Sequence, residues 1–158
     1  MDKFLITKQG YKKLKNLIDE LKNIERPKII NQIAAARELG DLKENADYHA
    51  AKDKQGFIEA QIIDFEDKYS RAEVIDIAKL SGNRVLFGST IILENSDNGK
   101  KVTYKIVSDF EADIDNNLIS NASPVAKALI GREVGDEVEI RTPGGIVNYE
   151  ILDIRFID

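Results

Sequence analysis

The spacing of apolar residues changes near residue 76. On the amino-terminal side, apolar residues recur at alternating steps of three and four, which is the spacing of one buried face of an α-helix. On the carboxyl-terminal side, they occur in short alternating runs between Gly, Asn, Asp and Pro residues, which is typical of strands and turns. The pattern therefore predicts two domains, a helical one over residues 1–76 and a strand-rich one over residues 81–158.

The helical half predicts a first long arm. It begins after Thr7, whose hydroxyl suits an N-cap, and it ends at Leu39-Gly40, where glycine permits a left-handed residue. Pro27 interrupts the arm and predicts a kink or a break. The apolar face of this arm consists of Leu14, Leu17, Ile18, Leu21, Ile24, Ile29, Ile30, Ile33 and Ala36.

A second arm begins between Asp41 and Asn45 and repeats its apolar face every 3.5 residues, which is the period of a coiled coil. Such a period requires a partner helix, and the first arm, running antiparallel, is the nearest one. Each arm has about 30 residues and spans on the order of 45 Å. The positions that repeat at this spacing are Ala51, Gln55, Ile58, Ile62, Phe65, Tyr69 and Ala72.

The second half predicts a small, mostly antiparallel sheet with one short helix, so the fold class is α+β. The helix, Val125–Ile130, follows Ser123-Pro124, a favourable start. Turns are expected at 97–99 and 143–145, where Asn, Asp, Pro and Gly cluster. The predicted strands are Arg84–Phe87, Thr90–Glu94, Val102–Val107, Asp136–Arg141 and Val147–Ile154.

Charge and composition exclude several functions. The net charge is −5, and residues 77–158 carry 9 Lys and Arg against 13 Asp and Glu, so free nucleic acid is not expected as the main partner. The chain has no cysteine and one histidine, which excludes disulfides and multi-histidine metal sites. It has neither the apolar run of a signal peptide nor a membrane-spanning stretch, so no membrane partner and a cytoplasmic location are expected.

Three acidic residues, Asp41, Glu44 and Asp47, cluster at the predicted bend between the arms. A simple explanation is that acidic side chains stabilise the amino terminus of the second helix. The alternative is that Asp41 and Glu44 bind a hard cation such as Mg²⁺. Two carboxylates alone form a weak site, so another macromolecule would have to supply the remaining ligands.

The bend and the second half together resemble a known family. Residues 37–51, RELGDLKENADYHAA, with Gln55-Gly56-Phe57, are similar to the tip of the bacterial GreA/GreB transcript cleavage factors, and to the GreA-type members more than to the GreB-type ones. The segments FGST (87–90), YKIV (104–107), IS (119–120), SPVAKALIG (123–131) and VGD (134–136) resemble the carboxyl-terminal domain of that family. The resemblance covers almost the whole chain in order.

The resemblance implies an amino-terminal coiled coil, an FKBP-like carboxyl-terminal domain and an accessory protein that is not itself an enzyme. The carboxyl-terminal domain would dock on RNA polymerase, and the coiled coil would enter its secondary channel. There the tip would stimulate cleavage of the nascent RNA 3′ end with Mg²⁺ shared with the polymerase and not stably bound by the factor alone.

The resemblance also assigns roles by position. Asp41 and Glu44 match the acids that help to hold the catalytic Mg²⁺ and the attacking water. Arg37 matches a basic position that faces RNA, and Lys52 stands where GreA-type members often have Arg, so the charge is kept while the bidentate contact to phosphate is lost. The tip is supported by Gly40, Asn45 and Tyr48, and the docking loop contains Ser120, Ser123 and Pro124.

Other interpretations remain open at this point. The chain could bind the polymerase channel without promoting cleavage. The FKBP-like half suggests a prolyl isomerase, although the chain has no Trp and that half has few aromatic residues. Asn45 could cap the second arm or orient Glu44, and Tyr48 could stack on a partner. His49 is expected to be a surface or packing residue, and the sequence does not set the oligomeric state of the free chain.

Overall fold

The computed structural model describes residues 2–41 and 45–158, which form two compact units. One is built mainly from Tyr11–Ala72, and the other combines Lys3–Gly10 with Glu73–Asp158. This division differs from the predicted limits of 1–76 and 81–158, because the amino-terminal segment groups with the strand-rich unit. No helix in the described ranges is long and apolar enough to cross a membrane.

The helical unit is a two-arm hairpin, as predicted. Its first arm contains helix α1 (Lys8–Glu20), a π-helical turn (Leu21–Glu25) and helix α2 (Arg26–Arg37), and its second arm is helix α3 (Ala46–Ser70). The N-cap at Thr7 is confirmed, because its Oγ1 accepts the N–H of Gly10 at 3.0 Å. The apolar core between the arms consists of Leu21, Ile29, Ile33, Ala51, Ile58 and Ile62.

Two ion pairs join the arms and show that they are antiparallel. Lys22 Nζ lies 3.3 Å from Glu66 Oε2, and Arg26 Nε lies 2.7 Å from Glu59 Oε1. Arg26 comes after Lys22 in the first arm, but its partner Glu59 comes before Glu66 in the second, so the two arms run in opposite directions. The predicted coiled-coil hairpin is therefore confirmed.

The π-helical turn corrects the predicted apolar face of the first arm. Ile24 and Ile30 were expected to face the second arm, but their exposed fractions are 58% and 49%. In the π turn the N–H of Arg26 donates to the carbonyl of Leu21, five residues back, so the turn holds one residue more than an α-helical turn. That residue rotates the following helix by roughly 100°, and Ile29, eight residues after Leu21, takes the next buried position.

The predicted break at Pro27 does not occur. The chain remains helical, and Pro27 lies in the first turn of α2, directly after the π-helical turn. Two other helix limits also differ from the prediction. Helix α2 ends at Arg37, before Leu39-Gly40, and Ala72 belongs to a strand rather than to the second arm.

The second unit contains a two-stranded sheet and a five-stranded sheet. Strands β1 (Phe4–Thr7) and β2 (Ala72–Ile75) pair with each other. The larger sheet has the order β5-β4-β3-β7-β6 and is antiparallel except between β4 and β5. Its strands are β3 (Thr90–Asn95), β4 (Lys101–Val107), β5 (Leu118–Ser120), β6 (Glu137–Thr142) and β7 (Gly145–Arg155).

A short helix, α4 (Pro124–Leu129), buries Ala126 and Leu129 in the core of this unit. The α+β class, the short helix and four of the five predicted strands are thus confirmed. The strand expected at Arg84–Phe87 is instead an irregular segment, with a single bridge from Arg84 to Glu133 and backbone hydrogen bonds that join Val85 to Gly131 and Arg132. Strands β1, β2 and β5 were not predicted, since each has only three or four residues.

Candidate functional site at the hairpin tip

The tip is the connection between the end of α2 at Arg37 and the start of α3 at Ala46. Glu38 caps α2, and Gly40 follows with a positive φ of 140°, a conformation that favours glycine. The side chain of Asp41 is exposed, as predicted. Glu44 lies outside the described residues, so its place at the site remains a prediction.

Asn45 bonds to both arms of the hairpin. Its Oδ1 accepts the N–H of Tyr48 at 3.0 Å, which confirms it as the N-cap of α3. Its side-chain amide also donates to the carbonyl of Ala36 in the last turn of α2. The cap was predictable from Asn45 alone, whereas the second bond was missed because its acceptor comes from the other arm.

A second contact between the arms involves Arg37 and Tyr48. The guanidinium carbon of Arg37 lies 5.8 Å from the centre of the Tyr48 ring, within the range of a cation–π interaction. The Tyr48 ring also meets the ring of His49 edge to face, with centres 5.6 Å apart. The arginine expected to face RNA is thus held beside the tyrosine expected to support the tip.

The two predicted basic residues lie in one groove. Arg37 and Lys52 come from different arms and line a concavity of about 250 Å³. The Nζ of Lys52 donates to Gln55 Oε1 at 3.2 Å and so extends along this groove. The other lining residues are Ile30, Ile33, Ala34 and Gln55.

A second groove of about 460 Å³ lies on the other side of the hairpin. Ala35 and Arg37 flank the buried Ala36, each roughly 100° away around the helix, so the grooves that they line face different directions. Leu39, with 70% of its side chain exposed, lines this second groove together with Ala50. The charged lining residues of the first groove, Arg37 and Lys52, are both cations, whereas those of the second, Asp47 and Lys54, have opposite signs.

At the end of the hairpin, Asp41 and Asp47 line a common concavity of about 300 Å³. Asn45 lines it too and contributes an amide, and oxygen donors of these kinds are the ligands preferred by Mg²⁺. Within residues 2–41 and 45–158, no group of three acidic or histidine side chains could hold a metal ion. The described residues therefore bring two carboxylates to the end of the hairpin, which are fewer ligands than a magnesium ion takes.

The predicted docking residues lie together between β5 and α4. Ser123 Oγ accepts the N–H of Ala126 at 3.2 Å and caps α4, while Pro124 occupies the first helical turn and is exposed. Ser120 Oγ accepts the N–H of Ala122 at 3.1 Å. These bonds are sufficient to shape the loop, and the docking role remains a prediction.

The chain thus combines a paired-helix hairpin, an acidic end to that hairpin and a small sheet-containing unit. Residues 4–74 match the family described as "Transcription elongation factor, N-terminal", and residues 80–156 match "Transcription elongation factor, GreA/GreB, C-term". The chain belongs to the GreA/GreB family of transcription elongation factors.

Two relatives of known name agree with this assignment. The chain is 52% identical over 154 residues to the transcription elongation factor GreA of Rickettsia canadensis, covering 98% of this chain and 95% of the relative. It is 49% identical over 157 residues to that of Phenylobacterium zucineum, covering 99% and 100%. The crystal structure of the GreA factor homolog Gfh1 of Thermus thermophilus is 30% identical over 97% of this chain and 99% of that one, with a TM-score of 0.45.

Proposed function

We propose that this elongation factor inserts its hairpin tip into the secondary channel of bacterial RNA polymerase and stimulates Mg²⁺-dependent hydrolysis of backtracked RNA. Arrested complexes would then resume synthesis from a new 3′ end, and the factor would act in the cytoplasm. The observation that supports this most is the tip itself, where exposed Asp41 lies at the end of a hairpin whose adjacent groove carries Arg37 and Lys52.

Asp41 and Glu44 would hold the cation through carboxylate oxygens. When bound, Mg²⁺ supplies charge stabilisation for the attacking and leaving oxygens of a phosphoryl displacement. The carboxylates of the tip would also orient the attacking water by accepting hydrogen bonds from it. Asp41 is exposed and has room for ligands from polymerase and RNA, which a partial site requires.

Arg37 and Lys52 would hold the RNA phosphates beside these acids. Both line the same groove, so a backbone phosphate there could be contacted from both arms. Arg37 offers a planar pair of donors, whereas Lys52 offers a point charge. The groove brings positive charge from both arms to the tip end of the hairpin, and Lys43 adds a cation to the acidic segment itself.

The carboxyl-terminal unit would dock on the polymerase through the loop of Ser120, Ser123 and Pro124. The exposed Pro124 and the short capped helix give that loop a fixed shape, which favours recognition with a small entropic cost. Catalysis would remain with the polymerase, because the described tip residues provide too few ligands for two metal ions.

The test is a transcript cleavage assay on stalled elongation complexes, with polymerase binding measured separately. Asp41→Ala and Glu44→Ala should each reduce stimulated cleavage by at least about tenfold, since even residues that only orient metal ligands contribute 10–100-fold. Asp53→Ala removes an exposed carboxylate from α3 and serves as the matched control. Binding without any stimulated cleavage by the unmodified chain would favour a channel-binding regulator instead.

A further inference from the structure

A polar residue, Gln55, interrupts the seam of α3, the row of side chains that faces the first arm. The neighbouring seam positions are all aliphatic or aromatic and pack between the arms: Tyr48, Ala51, Ile58, Ile62 and Phe65. Gln55 fills the step between Ala51 and Ile58 and is half-buried. A polar side chain at such a position makes a coiled coil less stable than an aliphatic one does. The stability of the hairpin therefore does not account for an amide at this position.

The amide of Gln55 has a defined orientation. Its Oε1 accepts a hydrogen bond from Lys52 Nζ at 3.2 Å. An ammonium group can only donate, so the amide oxygen must be the atom that faces Lys52. The two N–H donors on Nε2 then face away from Lys52, and within residues 2–41 and 45–158 they have no protein acceptor.

Gln55 lines the groove that carries the two cations. Arg37 comes from α2, whereas Lys52 and Gln55 come from α3, and all three line the same concavity of about 250 Å³. The other side chains that line it are aliphatic, and none of the described lining residues is a carboxylate. Because the Gln55 oxygen is already bonded to Lys52, the polar side chains of this groove offer mainly donors. Such a set of donors fits an anion.

We propose that Gln55 is a third RNA-contacting residue of this groove, in which its Nε2 donates to a backbone phosphate oxygen that Arg37 and Lys52 attract by charge. This inference rests on the proposed function. Glutamine is among the side chains that donate to phosphate oxygens in nucleic-acid complexes. The amide adds a directed hydrogen bond without adding charge, and its bond to Lys52 keeps the ammonium group beside the same phosphate.

Substitutions separate this contact from a structural role. Gln55→Met keeps the length of the side chain and removes the amide. Gln55→Glu keeps an oxygen for Lys52, but it removes the N–H donors and places a negative charge in the groove. Gln61→Met is the matched control, because Gln61 is a half-buried glutamine of the same helix that does not line the groove.

The first measurement is the rate of stimulated cleavage at saturating factor. Gln55→Met should lower it by about two- to tenfold, the contribution of one hydrogen bond, and Gln55→Glu should lower it at least as much. Gln61→Met should stay within about twofold of the unmodified chain. The Tm of Gln55→Met should equal or exceed that of the unmodified chain, because the seam becomes apolar at that step. An unchanged cleavage rate in Gln55→Met would overturn the inference.

A double-mutant cycle tests whether Gln55 and Lys52 hold the same phosphate. Effects of residues that share one partner are not additive. Once Lys52 is replaced by Ala, Gln55→Met should therefore lower the cleavage rate by less than about twofold. If the two substitutions instead have fully additive effects, Gln55 does not share a phosphate with Lys52.

The last measurement needs neither polymerase nor cleavage. The NMR signals of the Gln55 side-chain amide in the free protein should shift when a single-stranded RNA trinucleotide is added at low ionic strength, where phosphate contacts are strongest. The signals of the Gln61 amide should stay constant. Equal shifts at both residues, or none at Gln55, would contradict the contact. If the Gln55 signals shift but the unmodified chain does not stimulate cleavage, the proposed function is wrong and the groove still binds RNA.

Discussion

Arg26 and Glu59 form a bidentate ion pair across the two arms of the hairpin, with Nε–Oε1 and Nη2–Oε2 distances of 2.7 and 2.8 Å. The pair directly follows the π-helical turn. Hydrogen bonding from Arg26 lowers the pKa of the Glu59 carboxyl, and the same bond raises the pKa of Arg26. This geometry fixes how the two arms are aligned along their length.

The first prediction concerns the pH dependence of stability. Because the pKa of Glu59 is lower in the folded state, its contribution to stability is present above the pKa of the unfolded chain, near 4.5, and is lost as the pH falls through the folded value. Glu59→Gln should therefore lower the Tm at pH 7 and change it little at a pH below both values. Glu20→Gln, at an exposed position of α1, is the control. If the Tm of Glu59→Gln differs from that of the unmodified chain by the same amount at all pH values, the lowered pKa of Glu59 does not contribute to stability.

The second prediction tests the extra residue of the π-helical turn. Deleting exposed Asn23 while replacing Pro27 with Ala should leave a continuous α-helix with Leu21 and Ile29 seven residues apart, which is coiled-coil spacing. The variant should melt at or above the Tm of the unmodified chain by circular dichroism.

Deletion of Asn31 is the contrasting control. Asn31 lies between Ile29 and Ile33 in a regular helix, so its removal takes buried positions out of register. Each aliphatic side chain that leaves the core should cost about 2–5 kcal/mol. If both deletions destabilise the hairpin equally, the π-helical turn does not set the register.

The third prediction separates the two functions of Arg37. Tyr48→Phe keeps an aromatic ring beside the guanidinium and should leave stimulated cleavage unchanged. Tyr48→Leu removes the ring and should lower cleavage by about two- to fivefold, which corresponds to a cation–π interaction of about 0.5–1 kcal/mol. Arg37→Ala should lose this contact and the proposed phosphate contact together, and its effect should weaken at higher salt.

Cleavage assays at two salt concentrations measure these effects. Lys52→Ala, which removes the other cation of the same groove, is the comparison for loss of charge without loss of the Tyr48 contact. A larger effect for Tyr48→Leu than for Arg37→Ala would show that Tyr48 acts by another route.

The fourth prediction concerns a carboxylate in the strand-rich unit. Glu111 accepts hydrogen bonds from the backbone and hydroxyl groups of both Thr7 and Ser108, two residues that are buried. Glu111→Ala should leave these donors unsatisfied at a cost of about 1–3 kcal/mol. The Tm should then fall by about 4–8 °C for each kcal/mol in a unit of this size.

Gly10 provides an independent test of the same contact. A Cβ at this position would overlap the Glu111 carboxyl group, so Gly10→Ala should displace the carboxylate and lower the Tm as well. Asp109→Ala, at an exposed neighbouring position, should change the Tm by no more than about 2–4 °C, because surface substitutions of this kind change stability by at most about 0.5 kcal/mol. If Glu111→Ala and the unmodified protein have the same Tm, the hydrogen bonds to Glu111 do not stabilise the fold.

The periodicity and capping residues of the chain were sufficient to predict the hairpin, the short helix at Ser123-Pro124 and most of the sheet. These features depend on residues within one or two turns of each other, so a local pattern contains the information. The acidic bend with Asp41 was likewise predictable, because the residues between two helical arms have no core to join.

Only the tertiary structure determined which residues that are distant in the sequence come into contact. The exposure of Ile24 and Ile30 follows from one extra residue in a π-helical turn, which apolar spacing does not reveal. The bond from Asn45 to Ala36 joins separate helices. The hydrogen bond from Thr7 to Glu111 joins residues that are 104 positions apart in the sequence. Such contacts depend on how complete elements pack together, so no stretch of local sequence specifies them.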